Sequence, residues 1–426
     1  MIDLKVLHLN TYDGNGGAGR ACLRLSDALQ ASGIDSEVLV YYKFGQNPKI
    51  NTFSVSAIQK AKAVYNIISE RYYAKWLSKS VKTPFSLQWF GRSIKNHPKV
   101  KSADIIHLHW VNHGFLTPKF LAELDELEKP IVWTFHDSNA FTGGCHVRYG
   151  CENFHQQCGN CPILKISNQN DLSHKTWLRK QNAYRKLNFH IVAPSNWMAK
   201  SVKFSSLLAT REIAVIPNTI ETHVFKPYLK SEAKKILKIN PQKFVLMSGF
   251  MPSKNDKHKG TPYLIEALEI LSRRPGIKKE NFELVIFGNK DNAEIPEFPF
   301  KTTFLGTINN DDHLAKCYSA ADAFITPSLE DNLPNTVMES LACATPVIAF
   351  TTGGIPDMVK HMQNGYLAVY EDAEDLANGM EWLYHRPNKE ELQKAARLSI
   401  LTHFSEEVIA AEHIHLYETL IDLQPK

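Results

Sequence analysis

The stretch of the chain richest in groups able to do chemistry runs over residues 323–349 and reads strand, acidic loop, helix, strand. Glu330 and Asp331 precede a helix opened by Pro334, and Glu339 lies eight residues after Asp331, inside that helix. Proline suits a first helical turn because its missing N–H has no partner to lose there. The N–H groups around Asn332, Leu333, Pro334 and Asn335 are then free to meet a phosphate or sugar oxygen. Carboxylates at both ends of the turn can accept hydrogen bonds from neutral hydroxyls, the chemistry that holds ribose and hexose rings. Acids favouring the helix dipole account for Glu330 and Asp331 without any ligand. They do not account for Glu339.

Two further groups of residues fall at the ends of expected strands. Asn10 to Arg20 contains Gly14, Gly16, Gly17 and Gly19 between a first strand and a first helix. Glycines there let a ligand approach the backbone, and the helix start offers N–H groups to an anion. The run is not a clean G-x-G-x-x-G, and no acid is well placed after the second strand, which disfavours a nicotinamide enzyme. A tight turn without a ligand is the other reading. The second group is His107, His109 and Trp110 with Thr134, His136 and Asp137. Open parallel sheets bind ligands at the carboxyl ends of their strands. Two strands ending in histidine, with Asp137 able to orient a neighbour, point to a site on the acceptor side. Satisfied core histidines are the alternative.

Four of the seven cysteines, Cys145, Cys151, Cys158 and Cys161, lie within one insertion over residues 139–165. The spacing C-x5-C-x6-C-x2-C, with Gly inside the last pair and Pro after it, suits a tetrathiolate structural zinc site. Disulfides, unligated thiols and an iron–sulfur cluster are the other possibilities that the spacing leaves open. His146 and His155 are spare ligands.

The elements that must position these groups form two series. Strands are expected at residues 5–11, 36–41, 104–110, 130–136, 190–195 and 212–217, with helices at 18–31 and 118–128. A second series has strands at 244–249, 282–288, 302–306, 323–327 and 346–350, with helices between them. Alternation of this kind predicts two parallel sheets with helices on both faces. The expected domains are 1–217, including a basic helical region at 43–101, and 218–403. A terminal amphipathic helix in 404–426 is free to pack back on the first domain. The chain has 426 residues and a formal charge of +5, but residues 1–217 carry 27 Lys+Arg against 15 Asp+Glu. The remainder carries 22 against 29. Residues 43–101 hold 12 basic residues and one acid, Glu70, interleaved with Tyr65, Tyr72, Tyr73, Trp76, Phe85, Trp89 and Phe90. That composition suits an anionic membrane surface or a phosphate-bearing acceptor; a solvated basic face is the plain reading. No nucleic-acid module accompanies the charge, so nucleic acid is not expected as a partner. Without a basic leader or an apolar run of membrane-spanning length, the expected location is cytoplasmic, at most at the inner face of the membrane.

The acidic loop and helix resemble the E-x7-E signature of family 4 glycosyltransferases. So do Thr326-Pro327-Ser328, Pro346–Ala349, Thr351 to Asp357, Ile216-Pro217-Asn218, Val192 to Ser195 and Asn364-Gly365. The resemblance spans nearly the whole chain. It implies a GT-B fold, α/β, with two Rossmann-like domains whose parallel sheets face a central cleft. It implies a retaining hexosyltransferase that takes a nucleotide-diphosphate sugar and delivers the sugar to a saccharide or lipid-linked saccharide. Glu339 would bind the donor ribose, and Asp331, where the family has Glu, or Glu330 beside it would contact the donor sugar. Lys259 would clamp the pyrophosphate. The family's companion arginine is Phe250 here, with Lys254, Lys257 or His258 as candidates to compensate. Gly306 and Thr307 would meet the base, His136 the donor sugar, and Gly16 and Gly17 the phosphates. Catalysis without a metal is expected, since no D-x-D pair sits at a strand end and Lys259 with helix amides can meet the leaving-group charge. Transferases of surface polysaccharide assembly related to colanic acid enzymes have similar cysteine-rich segments. Two other classes stay open: a GT-B sugar-nucleotide epimerase, and a zinc-stabilised binding protein without turnover.

Overall fold

The computed structural model describes residues 4–14, 16–79, 85–249, 257–288 and 297–423. Phe250, which stands where the family has its pyrophosphate arginine, and Lys254, a candidate to compensate, lie outside them, as does the side chain of Lys257. The chain forms two compact units, Met1–Thr219 with Glu406–Lys426, and Ile220–Ser405.

The first unit is built on a parallel sheet of seven strands: β1 (Lys5–Tyr12), β2 (Asp35–Tyr42), β3 (Ile50–Thr52), β4 (Ile105–Leu108), β5 (Ile131–Thr134), β6 (His190–Ala193) and β7 (Ile213–Val215). Their order is β3-β2-β1-β4-β5-β6-β7, so the direction of winding reverses between β1 and β4. Successive side chains of a strand point to opposite faces. Leu7, Ile106 and Trp133 accordingly pack in one core, while Val6, Ile105 and Val132 pack in another with Leu25, Ile409 and Tyr417. That second face is covered by the helices Gly17–Ala31 and Glu406–Asp422. Every residue of β4 and β5 is buried, as expected for parallel strands covered on both sides.

The second unit has six strands: β8 (Phe244–Gly249), β9 (Phe282–Phe287), β10 (Thr302–Gly306), β11 (Ala323–Thr326), β12 (Val347–Phe350) and β13 (Gly365–Ala368). The order is β10-β9-β8-β11-β12-β13, all parallel, with the reversal between β8 and β11. Both units are therefore Rossmann-like, and each has the switch point where such sheets bind ligands. Several sequence expectations need correction, among them the strands expected over 104–110 and 130–136, which end at Leu108 and Thr134. The helix expected over 118–128 is α-helical only at Pro118–Ala122, and a 3-10 turn Glu123–Leu127 follows, ending in a left-handed Glu128 with φ 53°. The strand expected over 212–217 narrows to Ile213–Val215.

Candidate functional site

In the second unit the loops after β8, β11 and β12 interlock. The Leu329 N–H donates to the His258 carbonyl at 2.7 Å, the Thr352 hydroxyl to the Leu329 carbonyl at 2.8 Å, and the Gly354 N–H to the Asp331 carbonyl at 3.1 Å. Two glycines permit this. Gly260 and Gly353 hold φ of 64° and 55°, and a Cβ on either would come within 1.8 Å of the Pro327 and Asp331 carbonyl oxygens. No other residue fits these turns. The result is an ion pair between Lys259 Nζ and Asp331 Oδ2 at 2.8 Å. The loop then enters the helix Asn335–Ala342, whose N-cap position is Pro334 and whose first turn has no side-chain cap. Pro334 thus sits one position before the helix and not in its first turn. Leu333 and Pro334 are buried, and Glu330, Asn332 and Asn335 are half-buried. Glu339 is only 1% exposed and accepts from the Tyr318 hydroxyl at 3.3 Å. Gly306 ends β10 with φ 68°, and Thr307 after it is exposed. Lys259 and Asp331 are thus brought together, while Gly306 and Thr307 lie at the end of the far edge strand.

In the first unit the strand ends carry a column of histidines. His8 and His107 are register partners on β1 and β4, and Thr134, at the end of β5, and His136, beyond it, follow two and four residues after Val132, the register partner of His107. His8 Nδ1 lies 3.0 Å from His109 Nε2, and His109 Nδ1 lies 2.9 Å from His136 Nε2. His107 bonds the Tyr417 hydroxyl and the Thr134 hydroxyl, both at 2.7 Å. Burial lowers the pKa of His8 to about 3 and of His136 and His413 to about 4. Burial, with the neighbouring rings, holds His107 and His109 well below the usual range. The column is therefore neutral near pH 7, and each ring-to-ring hydrogen bond fixes one donor and one acceptor nitrogen. Sequence reasoning missed His8 and Tyr417. The signal for His8 was present: it stands two residues before Asn10 in an otherwise apolar strand, as His107 stands two before His109.

Asp137 follows His136 directly. Its carboxylate accepts from Trp110 Nε1 and the Asn139 N–H at 2.6 and 2.8 Å, and meets His146 Nδ1 at 2.6 Å. Burial alone would raise its pKa, but His146 and these hydrogen bonds outweigh that and lower it. The glycine loop follows β1. Gly16, φ 83°, is the N-cap position of the helix Gly17–Ala31, which has no side-chain cap, and both Gly16 and Gly17 are exposed. Asp13 holds the loop by accepting from the Phe44 and Gly45 N–H groups at 2.8 and 2.6 Å. A concavity of about 740 Å³ lies away from the histidines and is lined by Gln88, Trp89, Phe120, Arg179 and Lys186 among others.

Among the described residues, the side chains whose ligand atoms all lie within 4.8 Å of one another are His8, His107 and His109. Their ring nitrogens are already engaged with one another, Thr134, Tyr417 and His136, apart from His8 Nε2. That wiring suits a hydrogen-bonded stack better than a metal site. Cys145, Cys151, Cys158 and Cys161 are free thiols around one small cavity.

Two family models match consecutive parts of the chain: glycosyltransferase family 4 over residues 15–224, and glycosyl transferases group 1 over residues 230–399. An uncharacterized glycosyltransferase of Methanocaldococcus jannaschii is 27% identical over 177 residues, 39% of this chain and 43% of its own length. The sulfoquinovosyl transferase of Arabidopsis thaliana is 26% identical over 215 residues, 48% of this chain and 40% of its own. A D-inositol 3-phosphate glycosyltransferase of Pseudarthrobacter chlorophenolicus is 26% identical over 186 residues, 41% and 42% of the two chains. The matches thus span about two fifths of these relatives. Sucrose-phosphate synthase from Thermosynechococcus elongatus has a TM-score of 0.64 at 16% identity, over 98% of this chain and 99% of its own. Anabaena HepE in complex with UDP also gives 0.64 at 16% identity, over 98% and 100%. At such identities the likeness is one of fold, and that fold is GT-B. With both family models met in register along its two units, the chain belongs to the family 4, group 1 glycosyltransferases.

Proposed function

We propose that the protein transfers a sugar from a nucleotide-diphosphate sugar to a saccharide or lipid-linked saccharide acceptor, with retention at the anomeric carbon, in surface polysaccharide synthesis. The observation that carries the reading is the set of Lys259 and Asp331 on interlocked loops at the β8/β11 switch point, with Glu339 buried in the helix that follows Asp331. Glu339 accepts hydrogen bonds from the ribose hydroxyls, and Asp331 or Glu330 from the donor sugar. As the bond from the anomeric carbon to the phosphate oxygen breaks, negative charge grows on the β-phosphate. Lys259 and the uncapped amides of Asn335–Ala342 meet that charge, a preorganised arrangement that needs no reorientation during the reaction. The acceptor hydroxyl attacks from the same face, and its proton passes to the departing phosphate.

The helix Ala57–Leu77 supports a membrane-proximal acceptor. Ile58, Tyr65, Ile68, Tyr72 and Trp76 recur at helical spacing and are all exposed. Lys60, Lys62, Arg71 and Lys75 flank them, exposed as well, while Ala63, Asn66, Ile67 and Glu70 face the core. An apolar stripe between cations suits an anionic lipid surface. No helix among the described residues is long and apolar enough to cross a membrane.

A thermal-shift screen against UDP, GDP, ADP and their common sugar conjugates tests the reading. A ligand at about 100 times its Kd stabilises the native state by about 2.7 kcal/mol. A shift confined to one base and lost in Glu339→Gln is the expected result. Identical shifts in the native chain and Glu339→Gln would remove Glu339 from the donor site.

A further inference from the structure

The four clustered cysteines take no part in the chemistry above. We propose that Cys145, Cys151, Cys158 and Cys161 ligate one zinc ion, which holds the segment after β5 in shape as a structural site. The proposal is independent of the transfer reaction.

All four side chains line a single cavity with Thr142, Gly143 and Phe154. The cavity is small, with room for about one water-sized body. A closed set of four soft sulfur ligands is the donor set of structural zinc. Lys180, fully buried, ties the start of the segment down by donating to the Asn139 and Thr142 carbonyl oxygens and to the Asn139 side-chain oxygen.

The segment has little regular secondary structure of its own. Over residues 142–165 the only helical element is the short turn Asn153–His155. The apolar cluster beneath it is small, built on Phe85, Leu87, Cys161, Ile163 and Leu164. Cys158, Gly159 and Asn160 take consecutive left-handed conformations with φ of 54°, 90° and 47°. A Cβ on Gly159 would come within 2.5 Å of the Gln169 carbonyl oxygen. The Gly143 N–H donates to Cys158 Sγ at 3.2 Å. The sulfurs do not meet the mutual distance of 4.8 Å that His8, His107 and His109 meet, so ligation includes a rotamer change in the thiols. The clamp matters to the histidine face because Cys145 precedes His146, which bonds Asp137 and, at 2.8 Å, the Ser86 hydroxyl.

The test is metal analysis of the full chain purified without chelators. The expected result is one zinc per chain, released when a mercurial reagent titrates the thiols. In Cys151→Ser and in Cys158→Ser the bound zinc falls at least about tenfold. A native chain free of metal, with either four titratable thiols or the mass loss of disulfides, would overturn the proposal. So would zinc retained in the Cys151→Ser, Cys158→Ser double variant, which would place the ion elsewhere, for example on the histidines. If the variants fail to fold, the metal content of the native chain and its release by the thiol reagent decide alone.

Discussion

Replacing Lys259 by alanine should lower turnover by about 30- to 150-fold and weaken binding of the nucleoside diphosphate as well, since its β-phosphate carries the charge that Lys259 meets. The ammonium group is fixed 2.8 Å from Asp331 and is 38% exposed. A unit charge about 4 Å from a growing phosphate charge contributes about 4 kcal/mol at an effective dielectric near 20. Water reaching the lysine screens part of this, leaving about 2–3 kcal/mol. The partner sharpens the test. Without Lys259, the Asp331 carboxylate is left beside the phosphates and repels them. Adding Asp331→Asn to Lys259→Ala should therefore restore part of the loss, and the two changes should not be additive. The assay is the initial rate of nucleoside diphosphate release, with Kd for the nucleoside diphosphate measured by calorimetry alongside. Lys259→Arg should retain more activity than alanine because it keeps the charge. Turnover of Lys259→Ala within threefold of native would refute the electrostatic argument.

Three other outcomes follow from the same structure. Glu339→Gln should weaken nucleotide binding by about 1.5–3 kcal/mol, the worth of hydrogen bonds to a charged acceptor, and calorimetry that finds an unchanged Kd would remove the ribose contact. Stability should fall in mild acid. His8, His136 and His413 have folded pKa values of about 3 to 4, below the free value of 6.5. The unfolded chain therefore binds the protons, so this stability is complete above pH 6.5 and drains as pH falls toward 4, by up to about 1.4 kcal/mol per pH unit for each histidine. Urea titrations across that range should show the slope, and His413→Gln should flatten it; an equal slope in the variant would clear His413 of a role. Finally, Tyr72→Glu and Trp76→Glu should reduce sedimentation with vesicles containing phosphatidylglycerol, with melting temperature unchanged. Equal sedimentation with neutral and anionic vesicles would contradict the charge argument, since each lysine near such a surface contributes about 1 kcal/mol.

Much of the fold can be read from periodicity. Strands such as Ile105–Leu108 and Ala323–Thr326 are short apolar runs bounded by polar residues, and buried parallel strands are made of such runs. Elements with weaker signals escaped. β3 has three residues, and β13 opens with Gly365, a poor strand former. The helix Leu172–Tyr184 is largely polar; its start is marked instead by Asp171, whose carboxylate accepts from the Ser173 and His174 N–H groups. Among candidate site residues, the approach of Lys259 to Asp331 was not visible. It depends on two left-handed glycines, Gly260 and Gly353, pressing loops 67 and 22 residues away from them in sequence against one another at Pro327 and Asp331. Sequence spacing carries no information about such long-range contacts.

The two units place their polar groups by different physical rules. On the β1, β4 and β5 face of the first unit, polarity is held without charge. Alternation along three adjacent strands puts His8, His107, His109, Thr134 and His136 on the face that Tyr417 and His413 also cover. Burial then removes the protons that would charge them. A buried imidazole that stays neutral can donate at one nitrogen and accept at the other, so the chain His8–His109–His136 reverses as a unit when its outermost ring changes partner. The second unit does the opposite and presents a solvent-reachable cation, Lys259, held by a carboxylate. A reaction that develops negative charge on a leaving phosphate needs that charge met at the phosphate and not at the sugar.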